Sequence, residues 1–161
     1  MQDVPPAVSE DPPRKKSFWR SWKGGCLVAL LSPVMALGLL VLFFMIPVWV
    51  NDGKLAGMIS RFERYPLPPT TGWVGQGEGS VALRGNGNHC DYLARFTLET
   101  GLSVPELEDY YDRANIVGID GDRPDITMRA QESSKPTAHG GQVVIVELFD
   151  STEAGLDLRC H

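Results

Sequence analysis

The stretch NHCDYLARFTLE, Asn88–Glu99, alternates with a period of two. Cys90, Tyr92, Ala94, Phe96 and Leu98 suit a core, whereas His89, Asp91, Arg95, Thr97 and Glu99 between them are polar and only Leu93 breaks the pattern. Successive side chains of a strand point to opposite faces, so this alternation predicts a β-strand with one face in a core and one toward water. Just upstream, Val81 and Leu83 share one face of a first strand, and Gly85-Asn86-Gly87 supplies the positive-φ residues of a tight hairpin turn.

Downstream of the strand, LSVPELEDYYDRAN carries the start signals of a helix. Ser103 and Glu106 form a capping box, with Leu102 and Leu107 as the hydrophobic staple around it. Leu107, Tyr110, Tyr111 and Ala114 make the core stripe, and Glu106, Asp109 and Asp112 line the opposite face. Three more strands are expected. ITMRAQ alternates through Ile126, Met128 and Ala130, QVVIVELF is apolar on both faces and reads as a buried central strand, and LDLRCH places Leu156, Leu158 and Cys160 on one face. The order β-β-α-β-β-β predicts an α+β domain: an antiparallel sheet of about five strands with one helix on a face.

Working outward, residues 26–50, CLVALLSPVMALGLLVLFFMIPVWV, contain no charged residue. As a helix they would run roughly 37 Å, enough for a hydrocarbon core of about 30 Å. A cleaved signal peptide would have a shorter apolar run ending at a small-x-small site, and FFMIPVWVND offers none. The run therefore reads as an uncleaved single-pass signal anchor. Arg14, Lys15, Lys16, Arg20 and Lys23 precede it, against Lys54, Arg61 and Arg64 after it. That bias predicts an anchor in the cell membrane with the N terminus cytoplasmic and residues 51–161 extracytoplasmic. Residues 1–25 read as a disordered basic tail with Trp19 and Trp22 at the interface.

Residues 51–76 read as a juxtamembrane segment and linker ahead of a domain at 77–161. Leu55, Met58, Ile59 and Phe62 fall on one helical face, either as a short amphipathic helix on the outer membrane surface or as a continuation of the membrane helix. Pro66, Pro68 and Pro69 follow, with Gly72 and Gly75 behind them.

Two His-Cys pairs, His89-Cys90 and Cys160-His161, form a zinc-type ligand set by residue type alone. Adjacency argues against it, because neighbours on a strand face opposite ways and one ion cannot easily collect all four. A Cys90–Cys160 disulfide needs only the two core-facing residues and suits an oxidising compartment. Cys26 is left as an odd thiol. His89 and Asp91 share a strand face and could meet, but no nucleophile motif accompanies them: there is no Gly-x-Ser-x-Gly, Ser-x-x-Lys or His-Glu-x-x-His. The Asp120–Asp125 loop fails the EF-hand pattern and reads as a turn, with a weak Ca²⁺ contact left open. GQGEG precedes a strand and lacks the Lys-Ser/Thr of a phosphate loop.

The chain of 161 residues has a net charge of −5, and residues 51–161 hold 17 acidic and 10 basic residues. Such a balance excludes nucleic acid as the natural ligand. The sequence thus predicts a membrane-anchored, non-enzymatic binding or interaction module. It implies no cofactor, no metal site and no catalytic residue set. Its expected partners are the lipid bilayer and a protein or envelope component, with Glu106, Asp109 and Asp112 as the candidate binding face. Two alternatives stand beside it: an accessory subunit of a membrane complex acting through its helix, and an envelope hydrolase working near His89 or His139.

Overall fold

The computed structural model describes residues 22–131 and 141–161, with side chains from Ser32 onward. The basic tail, Trp19, the side chains of Trp22 and Cys26, and His139 lie outside the described residues. The chain divides into two units, Met1–Val41 and Leu42–His161. Helix α1 is Trp22–Glu63, uninterrupted at Pro33 and Pro47. In the first unit its side chains from Ser32 to Val41 are all exposed. Among the described residues α1 is the one helix long and apolar enough to cross a membrane.

In the second unit α1 changes character at Asn51. Side chains before it are mostly exposed, whereas Asn51, Leu55, Met58 and Phe62 are buried. The apolar stripe that sequence periodicity picked out therefore belongs to a continuation of α1, and it packs on protein, not on a membrane surface. Phe62 lies against Phe96 at 4.4 Å between ring centroids and stacks on Tyr111 at 5.2 Å. A Cβ built on Gly79 would come within 2.9 Å of Leu55 and Ile59, so this glycine lets α1 lie close over the sheet.

The sheet has five antiparallel strands: β1 Thr71–Trp73, β2 Glu78–Ala82, β3 His89–Thr100, β4 Asp125–Gln131 and β5 Gln142–Glu153. β1 and β2 pair in succession along one edge of β3, β5 lies along its other edge, and β4 pairs with β5. Helix α2, Val104–Asp112, follows β3. The buried apolar side chains of β3 are the alternating set Cys90, Tyr92, Ala94, Phe96 and Leu98, joined by Val144, Val146 and Leu148 of β5 and by Leu107 and Tyr111 of α2; Asp91 and Thr100 are buried polar residues of the same strand. The α+β class with a sheet of about five strands therefore holds.

Three details depart from the sequence reading. The strand count is completed by β1, inside the Pro/Gly segment, and not by LDLRCH, so the order is β-β-β-α-β-β. Three residues are too few to show a period, which is why TGW is silent as sequence. LDLRCH is instead a turn ending in a short 3₁₀ segment, Leu158–Cys160. Its burial is the reverse of a strand with Leu156 and Leu158 inward: both leucines are exposed and Asp157 is fully buried. The β2–β3 connection is also longer than a tight turn, six residues from Leu83 to Asn88, with positive φ at Gly85 and Gly87. In β5, apolar on both faces, Val143, Ile145 and Phe149 opposite the core are half-buried.

Candidate functional site

Tyr92 leads inward from the start of β3 to a polar cluster buried beside a disulfide. Cys90, at the start of β3, is bonded to Cys160 of the C-terminal turn, with Cα atoms 4.7 Å apart and 70 positions between them in sequence. Asn51 of α1 sits against this bridge. Its Nδ2 donates to Asp157 Oδ2 at 2.8 Å and to Cys90 Sγ at 3.3 Å, and its Oδ1 accepts from the Tyr92 hydroxyl at 2.8 Å. One buried amide thus joins helix, strand and C-terminal turn, and every polar atom it carries has a partner.

Asp157 is the charged centre of the cluster. Its Oδ1 accepts from the Arg159 backbone at 3.1 Å and from Arg159 Nε at 3.0 Å, and its Oδ2 accepts from Arg159 Nη2 at 2.8 Å. Arg159 continues outward, donating from Nη1 to Asp52 at 2.8 Å and from Nη2 to the Val48 carbonyl at 3.2 Å. The Arg159 hydrogen bonds pull the Asp157 carboxyl down to about 2, against the opposing effect of burial, and Asn51 adds to the lowering. Arg159 moves up, chiefly through its bonds to Asp157. Burial raises the Tyr92 hydroxyl, with Thr152 partly offsetting it. The cluster is therefore a buried carboxylate paired with a half-buried guanidinium, with lone pairs and donors engaged, the condition under which a charge is tolerated in an interior.

Among the described residues, Cys90, Asp157 and Cys160 form the one group of metal-ligating types close enough to share an ion. With the sulfurs bonded to each other neither is a thiolate, and thiolate is the form that binds a metal. The histidines do not join them. His161 is exposed, its ring 3.2 Å from the Gly155 carbonyl. His89 lies on the opposite strand face from Cys90, as alternation requires, and its Nε2 is 3.2 Å from Asp91 Oδ1. Asp91 is buried, and its Oδ2 accepts from the Arg84 backbone at 2.5 Å, so it closes the β2–β3 loop. Among the described residues no hydroxyl or thiol hydrogen-bonds the His89 ring.

The acidic helix face is committed locally. Glu106 accepts from the backbone N–H and the hydroxyl of Ser103, bonds that hold its carboxyl below the usual range. Asp109 pairs with Arg113 at 2.8 Å, one helical turn away, and Asp112 with Arg123 at 2.9 Å. On the other sheet face a shallow depression of about 320 Å³ is lined by Glu78, Ser80, Arg84, Leu93 and Arg95. Its two arginines are also occupied, Arg95 by Glu147 and Arg84 by the Ser80 hydroxyl.

Sequence reading picked out Cys90 and Cys160 but not Asn51, Asp157 or Arg159. Two signals were present. Asn51 is the first polar residue after the uncharged run, and Asp157 and Arg159 stand two apart beside Cys160. The chain matches no protein-family model, no curated protein and no solved structure.

Proposed function

We propose that this chain is a single-pass protein of the cell membrane, N terminus cytoplasmic, whose disulfide-bearing domain stands outside as a non-enzymatic binding or interaction module. The observation that carries the reading is the Cys90–Cys160 disulfide closing the end of the domain at Asn51, next to the uncharged run. Disulfides persist in oxidising compartments, and the basic flank before residue 26 independently favours a cytoplasmic N terminus. The non-enzymatic part is supported by how the chemistry-bearing side chains are used. Asp157, Arg159, Asp91 and Glu106 hold turns and caps, and both thiols of the domain are bonded to each other.

Two experiments test this. Maleimide labelling of intact cells after mild reduction should reach Cys90 and Cys160; labelling only after permeabilisation overturns the orientation. Photo-crosslinking in intact cells from exposed positions between residues 77 and 161 should capture a defined protein or envelope partner. Capture of none across both sheet edges and α2 counts against a binding role.

One observation favours a second reading, an accessory subunit acting through its helix. Leu55, Met58 and Phe62, on the same helix as the uncharged run, are core residues of the domain. Exchanging residues 26–50 for an unrelated apolar helix while keeping Asn51–Glu63 separates the two. Retained function assigns the role to the domain.

A further inference from the structure

Outside α1, the exposed large hydrophobic residues among those described are Val74, Leu156 and Leu158. Two of the three sit on the turn Ala154–Cys160, with 56% and 66% of their surface open, and a single exposed leucine would need no explanation. Their position is what makes the pair informative. Arg159 Nη2 reaches the Val48 carbonyl and Arg159 Nη1 reaches Asp52. The turn is therefore fixed beside α1 at the level of residues 48–52. At 1.5 Å per residue, Val48 lies about 3 Å inside the end of the uncharged run at Val50. Trp49, 58% exposed, is at the same level and is the residue type enriched where a helix leaves a bilayer.

The turn also brings little uncompensated charge to that level. Its cation, Arg159, is already paired with Asp157 and Asp52, and Asp157 is itself withdrawn into the domain. A paired guanidinium can lie at an interface with its stem against apolar surface. The β2–β3 loop belongs to the same end of the domain, since Leu83 donates its backbone N–H to the Arg159 carbonyl at 2.8 Å. Its tip, Gly85-Asn86-Gly87, is exposed but carries no apolar side chain, so the leucines mark the turn alone as the part suited to an apolar medium.

We infer that the C-terminal turn is a second membrane contact, with Leu156 and Leu158 seated in the interfacial layer of the same bilayer that α1 enters. This rests on the membrane-anchor reading above. The turn then does more than hold the disulfide. It sets how close the domain stands to the lipid, and it keeps Asn51, Asp157 and the Cys90–Cys160 bridge at the membrane-facing end of the domain.

The test uses the full chain in phosphatidylcholine–phosphatidylglycerol liposomes, with Cys26→Ser removing the unpaired thiol. A nitroxide is placed in turn at Leu156→Cys, Leu158→Cys, Leu42→Cys and Asp109→Cys. Collision rates with oxygen, which concentrates in lipid, and with a water-soluble nickel chelate are compared at each. Mass spectrometry checks that the Cys90–Cys160 bridge is intact. Oxygen should dominate at 42, 156 and 158, and the chelate at 109. Oxygen dominant at 42 but chelate dominant at both 156 and 158 overturns this inference and leaves the anchor standing. Chelate dominant at 42 removes the anchor and this inference together. A readout without new thiols is Leu158→Trp in a Trp49→Phe background. Lipids brominated near the carbonyl should quench the added emission, and unquenched emission refutes the contact.

Discussion

Replacing Asp157 with asparagine tests whether the buried carboxylate and its partners hold the domain together. The carboxyl is held at about 2 in the folded chain against 3.8 as its ordinary value. At 1.36 kcal/mol per unit, ionised Asp157 contributes about 2 kcal/mol to stability. Because the folded value lies below the unfolded one, that contribution is complete above about pH 5. It is lost as pH falls through the unfolded value toward about 2. Asparagine keeps the shape but not the charge. Wherever its amide N–H₂ points, it meets a donor, Asn51 Nδ2 or the Arg159 guanidinium, that the carboxylate had satisfied. The variant should be less stable at pH 7 by about 2–3 kcal/mol. The gap between the proteins should then shrink by about 2 kcal/mol between pH 5 and pH 2. For a unit of this size that is a change of roughly 6–12 °C in the difference of melting temperatures. Near-UV circular dichroism of the full chain in maltoside micelles reads tertiary melting without the apolar helix dominating the signal. Taking the difference between the two proteins cancels other carboxylates with lowered values, Glu106 among them. Parallel melting curves across that pH range would refute the assignment of Asp157 as a buried anion.

The remaining predictions concern packing and covalent restraint. Cys90→Ser with Cys160→Ser opens a loop of 70 positions and should cost about 4 kcal/mol on the chain-entropy estimate, read as a lower denaturant midpoint. An unchanged midpoint would mean that the noncovalent cluster alone fixes the C-terminal turn. Met58→Ala removes a fully buried side chain of α1 and should destabilise the domain by about 2–5 kcal/mol. A change below about 0.5 kcal/mol, the size expected at an exposed site, would show that this part of α1 is not core. Gly77→Ala sets a Cβ into the Phe96 ring and should cost about 1–3 kcal/mol through displacement of that ring, visible in the near-UV spectrum.

The parts of the fold legible in sequence were those with a repeating pattern long enough to be read. The twelve residues of β3 are enough to show their period despite Leu93, and Ser103–Glu106 announces the start of α2. The stripe Leu55–Phe62 was legible as a face, but not its partner, because a sheet surface and a bilayer surface demand the same apolar residues. LDLRCH misled for a related reason. Its alternation of Leu156, Asp157, Leu158 and Arg159 is the signature of a half-buried strand, yet a turn that buries the acid and exposes the leucines produces the same letters. Pairing decides between them, and the partner of Asp157 on α1 is Asn51, 106 positions away. Periodicity carries no information across that distance. The disulfide was accessible because cysteines are few and alternation placed Cys90 inward. The hydrogen bonds around it were not, since asparagine and tyrosine are common in many other roles.

That long-range pairing also bears on why a costly buried charge stands at this point of the chain. Leu55, Met58 and Phe62 hold α1 against the sheet by burial, which is non-directional and can tolerate small slips. Asn51 cannot slip. Turning α1 by one residue, about 100°, would carry its amide away from the Tyr92 hydroxyl and from Asp157 together. Asp157 would keep Arg159 but lose its helix partner, and Arg159 would lose Asp52 and the Val48 carbonyl, both fixed to the same helix. Each broken bond strands a buried or half-buried polar group, so the penalties fall on one side only. Apolar packing thus supplies the attraction between helix and sheet, while the cluster around the disulfide selects a single rotation and height. It does so at the residue where the uncharged run ends, the one level at which fixing α1 also fixes Leu156 and Leu158.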